Sequence, residues 1–212
     1  MKTPFTLHLR DLGKPLVDAW ERQFNDVPGV TISCGDIFSS KPGPIVATDP
    51  IDVKADAIVS PANSFGYMDG GIDAVYTYQL GPQVQRELQA RLARDFGGEL
   101  PVGSAVIIPT GHRDIPWCIS APTMRVPSFV GNTLNAYLAM RAALTAVLVH
   151  NEEGNEPIRT VLCPGLGTAV GKMPVERCAR QMRAAWDRVV GGKPLVHSTL
   201  REAAIDEAWL LE

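Results

Sequence analysis

The sequence predicts an α/β domain with a mixed central sheet, and three observations lead to that fold class. Short apolar runs suited to buried strands alternate with stretches in which apolar residues recur every three or four positions, as on one face of a helix. Two of these strands end in glycine-rich loops that open a helix. Another two are joined by a short turn, which is typical of an antiparallel hairpin at a sheet edge. The 212 residues suit one domain, and we expect residues 1–212 to form it.

The first half of the chain predicts strand, helix and strand. Alternating apolar residues predict strands over residues 5–9 and 30–34, and a four-residue apolar spacing predicts a helix over 16–24. Residues 38–52 contain three prolines and predict an irregular loop. The next strand, over 57–59, is apolar throughout, as expected for a strand that is buried on both faces.

The second half predicts helices over residues 84–96 and 134–148, separated by the hairpin strands 105–108 and 117–120. A buried strand over 160–163, a glycine loop and a helix follow. The apolar face of that helix is Val175, Cys178, Met182, Ala185 and Val189. A final helix is expected to pack on the outside through Leu200, Ala204, Ala208 and Leu211.

Composition and charge argue against several classes of protein. The apolar fraction of 45% and the charged fraction of 20% are ordinary for a globular protein, which disfavours disorder and a coiled coil. A net charge of −3 argues against a protein that coats nucleic acid through its phosphates. The N-terminal segment lacks the apolar core of a signal peptide, and no stretch reaches about 18 apolar residues. We therefore expect a cytoplasmic monomer with no membrane partner.

The four cysteines, Cys34, Cys118, Cys163 and Cys178, lack the paired short spacing of a zinc site. They lie in or beside predicted strands and helices, so we expect small buried apolar residues. The sequence predicts neither a metal site nor a bound cofactor.

The residues after the strand over 57–59 have the composition of a ligand-binding loop. Asn63 brings a carboxamide that both donates and accepts, and Gly70 and Gly71 allow the backbone to approach a ligand closely. We expect a helix to begin near Gly71, where free N–H groups and the positive end of the dipole attract an anion and keep Asp73 ionised. A plain strand-to-helix turn, in which Asn63 satisfies backbone groups, is the alternative.

A second glycine loop contains Gly165, Gly167 and Gly171 between a buried strand and a helix. Backbone N–H groups in such a place can hold a diphosphate. The order is GxGxxxG rather than GxGxxG, and no acidic residue ends a strand about 20 residues later, which weakens a dinucleotide-binding interpretation. A nicotinamide-dependent oxidoreductase nevertheless stays an alternative.

The two loops, in this order, resemble those of the macro domain family, whose members bind ADP-ribose. The first loop matches the family pattern at Ala62-Asn63, at Gly70-Gly71-Ile72-Asp73 and at the closing Gly81. The second matches it at Pro164, Gly167, Thr168 and Pro174. Gly35-Asp36-Ile37 is similar to the family segment whose aspartate accepts the adenine amino group. The resemblance covers about residues 30–190 and implies a three-layer α/β/α sandwich.

The resemblance also implies how ADP-ribose would lie. Adenine would contact Asp36 and Ile37, the diphosphate would lie between the two glycine loops, and the distal ribose would lie by Asn63 and Asp73. The remaining binding residues that the resemblance implies are Ala62, Gly70, Gly71, Ile72, Gly165, Gly167, Thr168, Ala169, Val170 and Gly171. In hydrolytic members the aspartate orients or activates a water that releases the group attached to this ribose, which assigns catalysis to Asp73 and Asn63. A carboxylate in a first helical turn is expected to have a lowered basicity.

Several positions depart from the family pattern. Gly171 replaces an aromatic residue that covers the distal ribose, which predicts a more open sugar pocket. Lys172 replaces a glycine and is either a cation near the phosphates or a solvated loop lysine. Thr77 replaces a histidine that often follows the aspartate, so a module that binds ADP-ribose without cleaving it stays an alternative. The expected partner is ADP-ribose or an ADP-ribosylated protein; nucleic acid is not expected, although ADP-ribosylated nucleic acid ends stay open.

Overall fold

The structure is a computed structural model that describes residues 3–41 and 50–212, so the middle of the predicted loop over 38–52 lies outside the described residues. Strands and helices alternate as the sequence predicts. The elements are β1 (Thr6–Asp11), α1 (Lys14–Phe24), β2 (Val30–Cys34), β3 (Ala57–Ser60), α2 (Gly71–Leu80), α3 (Gln83–Asp95), β4 (Val106–Pro109), β5 (Trp117–Ser120), α4 (Asn135–Glu152), β6 (Thr160–Cys163), α5 (Val175–Val189) and α6 (Leu200–Leu211).

The strands form one sheet in the order β2-β1-β6-β3-β5-β4. All neighbouring pairs are parallel except β4 and β5, which form the predicted antiparallel hairpin at the sheet edge. Because β1, β2, β3, β5 and β6 run in the same direction, their carboxyl ends lie at one edge of the sheet. The loops that follow these strands therefore meet there, which is where open parallel sheets bind ligands.

Helices cover both faces of the sheet and give the three-layer α/β/α sandwich. In β3, Ala57 and Val59 belong to the core beneath α1, α4 and α5, whereas Ile58 belongs to the core beneath α2 and α3. These three side chains are at most 1% exposed, as the unbroken apolar run predicts. No helix within the described ranges has the length and apolar character needed to cross a membrane.

The predicted packing face of α6 is wrong. Leu200 is 88% exposed and Ala204 and Ala208 are also exposed, whereas Leu210 is buried. Among its contacts with α5, the carbonyl of Leu210 accepts a hydrogen bond from Gln181 Nε2 at 3.1 Å, and Asp206 pairs with Arg188. An apolar pattern predicts which residues share a face, but it carries no information about which end of a peripheral helix is in contact.

Two smaller expectations also need correction. Cys118, Cys163 and Cys178 are buried, but Cys34 is exposed because β2 is an edge strand. In α4 the sequence pattern predicts one apolar face made of Leu134, Leu138, Ala142, Thr145 and Leu148. Of these residues, Thr145 is exposed.

Candidate functional site

A pocket of about 440 Å³ lies at the edge where the parallel strands end. This volume is within the range of small-molecule sites, about 300–1,000 Å³. The structure brings together in its lining every residue that the sequence assigned to a site: Asp36, Ile37, Ala62, Asn63, Gly70, Gly71, Ile72, Asp73, Gly165, Gly167, Thr168, Ala169, Val170 and Gly171.

The start of α2 is one wall of the pocket. Gly70 is the N-cap residue, with φ −136° and ψ 153°, and no side chain caps the helix. The backbone N–H groups of residues 70–73 donate to no acceptor within the part of the chain that the structure describes. Free donors and the positive end of the helix dipole make this wall suited to an anion.

The glycine loop after β6 also lines the pocket. The N–H group of Gly165 donates to Asp11 Oδ2 at 3.1 Å, but those of residues 166–171 find no acceptor among the described residues. Two hydrogen bonds hold the loop, from Val130 N to the carbonyl of Gly171 and from Met173 N to the carbonyl of Gly167. A Cβ on Gly171 would lie 2.4 Å from Val130 Cγ2, so the loop tolerates only glycine there. Consecutive free N–H groups of this kind form an anion-binding concavity.

Asp73 is the most perturbed carboxyl group of the pocket. It is 7% exposed, and Ser60 Oγ donates a hydrogen bond to its Oδ1 at 2.5 Å. Burial raises the pKa of Asp73 from 3.8 to about 6, although the hydrogen bond from Ser60 acts in the opposite direction. The expectation of a lowered basicity is therefore wrong, because the loss of solvation outweighs the hydrogen bond from Ser60. Asp73 is mostly ionised at neutral pH and can accept a proton near pH 6.

Asn63 shapes the loop that leads to α2. Its Oδ1 accepts hydrogen bonds from the N–H groups of Phe65 and Tyr67, at 3.0 and 3.3 Å, and its Nδ2 donates to the carbonyl of Tyr67 at 2.7 Å. The Oγ1 of Thr77 donates to the carbonyl of Met68 at 2.6 Å and holds the other end of this loop. Asn63 therefore satisfies backbone groups, as the strand-to-helix alternative expects, while it also lines the pocket.

Asp36 lies beyond the end of the edge strand β2. Its Oδ1 accepts from Phe38 N at 3.0 Å, and no donor of the described chain contacts its Oδ2. A carboxylate oxygen is thus available to a ligand at this end of the pocket.

A macro domain model matches residues 59–182, which is more than half of the chain. The chain belongs to the macro domain family. A relative from Aquifex aeolicus, whose own description is an uncharacterized protein, is 37% identical over 131 residues, which cover 62% of this chain and 72% of that protein.

Solved macrodomains share the fold. The macrodomain of Mycobacterium tuberculosis DarG has a TM-score of 0.53 and 22% identity, covering 76% of this chain and 91% of its own. A mutant macrodomain of Oceanobacillus iheyensis, solved with ADPR, has a TM-score of 0.51 and 18% identity, covering 62% of this chain and 68% of its own. At these identities the likeness establishes the macro domain fold and nothing about the ligand of this chain.

The macro domain pocket also contains residues from β1 that sequence reasoning missed. Arg10 is 5% exposed and donates to the carbonyls of Asp36 and Lys41, at 2.6 and 2.9 Å. Asp11 accepts from Gly165 N and, at 2.8 Å, from Gly13 N, so it fixes the glycine loop to the first strand. The signal was present: a strand-helix-strand unit at residues 5–34 predicts a parallel pair whose carboxyl ends share an edge.

Lys172 follows the glycine loop but is not among the residues that line the pocket. Its side chain is exposed, as expected for a solvated loop lysine. Its φ of 54° is in the left-handed region, where glycine is preferred, and the family pattern has glycine at this position. The cation that the sequence suggested near the phosphates is therefore not supplied by Lys172 in this conformation.

Proposed function

We propose that this macro domain binds ADP-ribose and hydrolyses the bond between the distal ribose and an attached group. The observation that carries the proposal is the pairing of two stretches of free backbone donors with a buried carboxyl group of raised pKa in one pocket. The Oceanobacillus macrodomain solved with ADPR supports the choice of ligand. A perturbed carboxyl group in a concave pocket is typical of a catalytic site.

The donors of the two walls account for binding of the diphosphate. Residues 70–73 and 167–171 line the pocket, and their N–H groups have no acceptor among the described residues, so a bound diphosphate would exchange hydrogen bonds to water for hydrogen bonds to fixed donors. The Oδ2 of Asp36, which no donor of the described residues contacts, then accepts from the adenine amino group. The distal ribose, with its attached group, lies at the Asp73 end.

Asp73 acts as a general base in this scheme. Its carboxylate accepts a proton from a water, the water oxygen forms a bond to the carbon that carries the attached group, and the bond to that group breaks. A base with a pKa of about 6 is ionised at neutral pH yet is a stronger base than an ordinary aspartate. The attached group, such as an acidic side chain of a protein, leaves as a carboxylate with the bonding electrons, and Asp73 then releases the proton of the water to solvent.

A binding module without hydrolysis is the second candidate, and the role of Thr77 favours it. Its hydroxyl is committed to the carbonyl of Met68, so it supplies no second acid or base beside Asp73. The two candidates differ in one measurement. Calorimetry with ADP-ribose tests binding, and incubation with a protein that carries ADP-ribose on acidic side chains tests release. Binding without release above background would replace the hydrolase with the module, and absence of binding would contradict both.

Gly70→Val is expected to weaken ADP-ribose binding more than tenfold. Gly70 has an extended backbone and a Cβ there meets no atom within 4 Å, so the fold tolerates the change while the branched side chain occupies space that the ligand needs. Calorimetry and a melting curve measure the two effects separately. Gly70→Ala is the matched control, with a smaller expected loss. Unchanged affinity in a folded Gly70→Val variant would contradict the proposed position of the diphosphate.

Asp36→Ala is expected to abolish discrimination between adenine and hypoxanthine. The Asp36 Oδ2, which has no partner among the described residues, can accept from the exocyclic amine of adenine and gains nothing from the keto group of hypoxanthine. ADP-ribose should therefore bind more tightly than its inosine counterpart to the wild-type protein, and about equally to the variant. Competition titrations with the two compounds give both ratios. If the ratio of the two affinities is the same in wild type and variant, Asp36 takes no part in recognising the base.

A further inference from the structure

Ser60 and Asp73 form a buried pair that joins the end of β3 to the first turn of α2. The Ser60 side chain is fully buried, and its hydroxyl donates to Asp73 Oδ1 at 2.5 Å. The other oxygen, Oδ2, receives no hydrogen bond within the described chain. It is not fully buried and keeps some exposure to solvent. It is therefore open to the pocket that Asp73 lines. The two oxygens of one carboxylate thus have different environments.

The position of Ser60 is fixed by the sheet. It is the last residue of β3, it lies opposite Ser120 in the parallel pair with β5, and its carbonyl accepts from Ala121 N at 3.0 Å. A hydroxyl placed by a central strand moves less than one on a loop, so it defines the orientation of the group it contacts.

We propose that Ser60 is a positioning residue for the Asp73 base: its hydroxyl holds Oδ1 and thereby presents Oδ2 to the attacking water. This inference rests on the proposed hydrolase function. In this scheme Ser60 does not contact the substrate and acts only through Asp73. The hydroxyl also stabilises the ionised form of Asp73, because a hydrogen bond to a carboxylate is stronger than one to the neutral acid.

Two other titratable groups near Asp73, Tyr76 and Cys118, do not stabilise its ionised form in place of the Ser60 hydroxyl. Tyr76 of α2 donates its hydroxyl to the carbonyl of Val59, and burial raises its pKa well above 10.0. Burial likewise raises the pKa of the Cys118 thiol of β5, so both groups are neutral at neutral pH. The charged residues that line the pocket around Asp73 are Arg10, Asp11, Asp36 and Asp69. Burial and the Ser60 hydrogen bond are the causes that set the pKa of Asp73.

The test combines an NMR titration of the Asp73 carboxyl group with a pH profile of ADP-ribose release. In Ser60→Ala the pKa of Asp73 should rise by about one unit, the usual scale for a lost hydrogen bond to a charged group. Release under saturating substrate should fall at least about fivefold at pH 6, the factor that a one-unit rise from about 6 implies, and less at pH 8, whereas KM should change little. Ser60→Cys, which keeps a similar volume but donates weakly, should shift the titration in the same direction.

Ser120→Ala is the matched control. Ser120 is 1% exposed, lies beside Ser60 in the neighbouring strand, and its Oγ has no hydrogen-bond partner within the described chain. Its loss should move neither the titration nor the pH profile. An Asp73 pKa that stays at the wild-type value in Ser60→Ala and Ser60→Cys, or an equal shift in Ser120→Ala, would overturn the role of Ser60. Wild-type protein that releases no ADP-ribose would instead contradict the proposed function. The titration would still measure the effect of the Ser60 hydrogen bond on the pKa of Asp73.

Discussion

Asp73→Asn should lower single-turnover release of ADP-ribose at least a hundredfold and leave the affinity for free ADP-ribose within about threefold. A positioned general base contributes about 10²–10⁴ in rate, and an amide has no lone pair basic enough to replace it. Asparagine has the same shape, and its Oδ1 still accepts from Ser60 Oγ, so the pocket keeps its form. The substitution therefore weakens stabilisation of the transition state and leaves ground-state binding of ADP-ribose nearly unchanged.

The measurement is a pair of numbers for each variant: affinity by calorimetry and release from a protein modified on acidic side chains. Glu176→Gln is the matched control, because Glu176 is also in the first turn of a helix but its side chain is 53% exposed and lies outside the pocket. It should leave both numbers unchanged. Release by Asp73→Asn at the wild-type rate would show that Asp73 has no catalytic role and is only a residue of the first turn of α2.

The sequence predicted the convergence of the two glycine loops because the signals were strong and local. The strands that precede them are unbroken apolar runs, and both are buried in the sheet as β3 and β6. Parallel strands bring their carboxyl ends to one edge, so correct strand assignment was enough to place Gly70 near Gly167. The same rule applied to residues 5–9 would have added Arg10 and Asp11, which the family pattern did not include.

The chemistry of Asp73 was less predictable from sequence. The dipole of α2 is a local property and argues for a lowered pKa, whereas burial depends on how Tyr76, Ser60 and the sheet close around the carboxyl group. That closure is a tertiary effect that sequence spacing does not record. The hydrogen bonds of Asn63 to its own loop have the opposite origin: they are local, and the tendency of asparagine to satisfy nearby backbone groups predicts them.

Asp73→Asn should also stabilise the protein, by about 3 kcal/mol at pH 8 and by less than about 1 kcal/mol at pH 4. The pKa of Asp73 is about 6 in the folded protein and 3.8 in the reference state. The folded state therefore binds the proton more tightly than the unfolded state does. The stability that this carboxyl group contributes is fully present below pH 3.8 and is lost as the pH rises through 6. An amide does not ionise, so the variant avoids that loss.

Urea titrations at several pH values give the difference in free energy of unfolding between Asp73→Asn and wild type. Glu176→Gln again serves as the control, since an exposed carboxylate in a surface ion pair contributes only about 0–1 kcal/mol. A difference for Asp73→Asn that stays constant from pH 4 to pH 8 would contradict a raised pKa. A difference that grows with pH, together with lost release, would mean that the fold keeps a costly ionised carboxylate in the pocket because the reaction requires it.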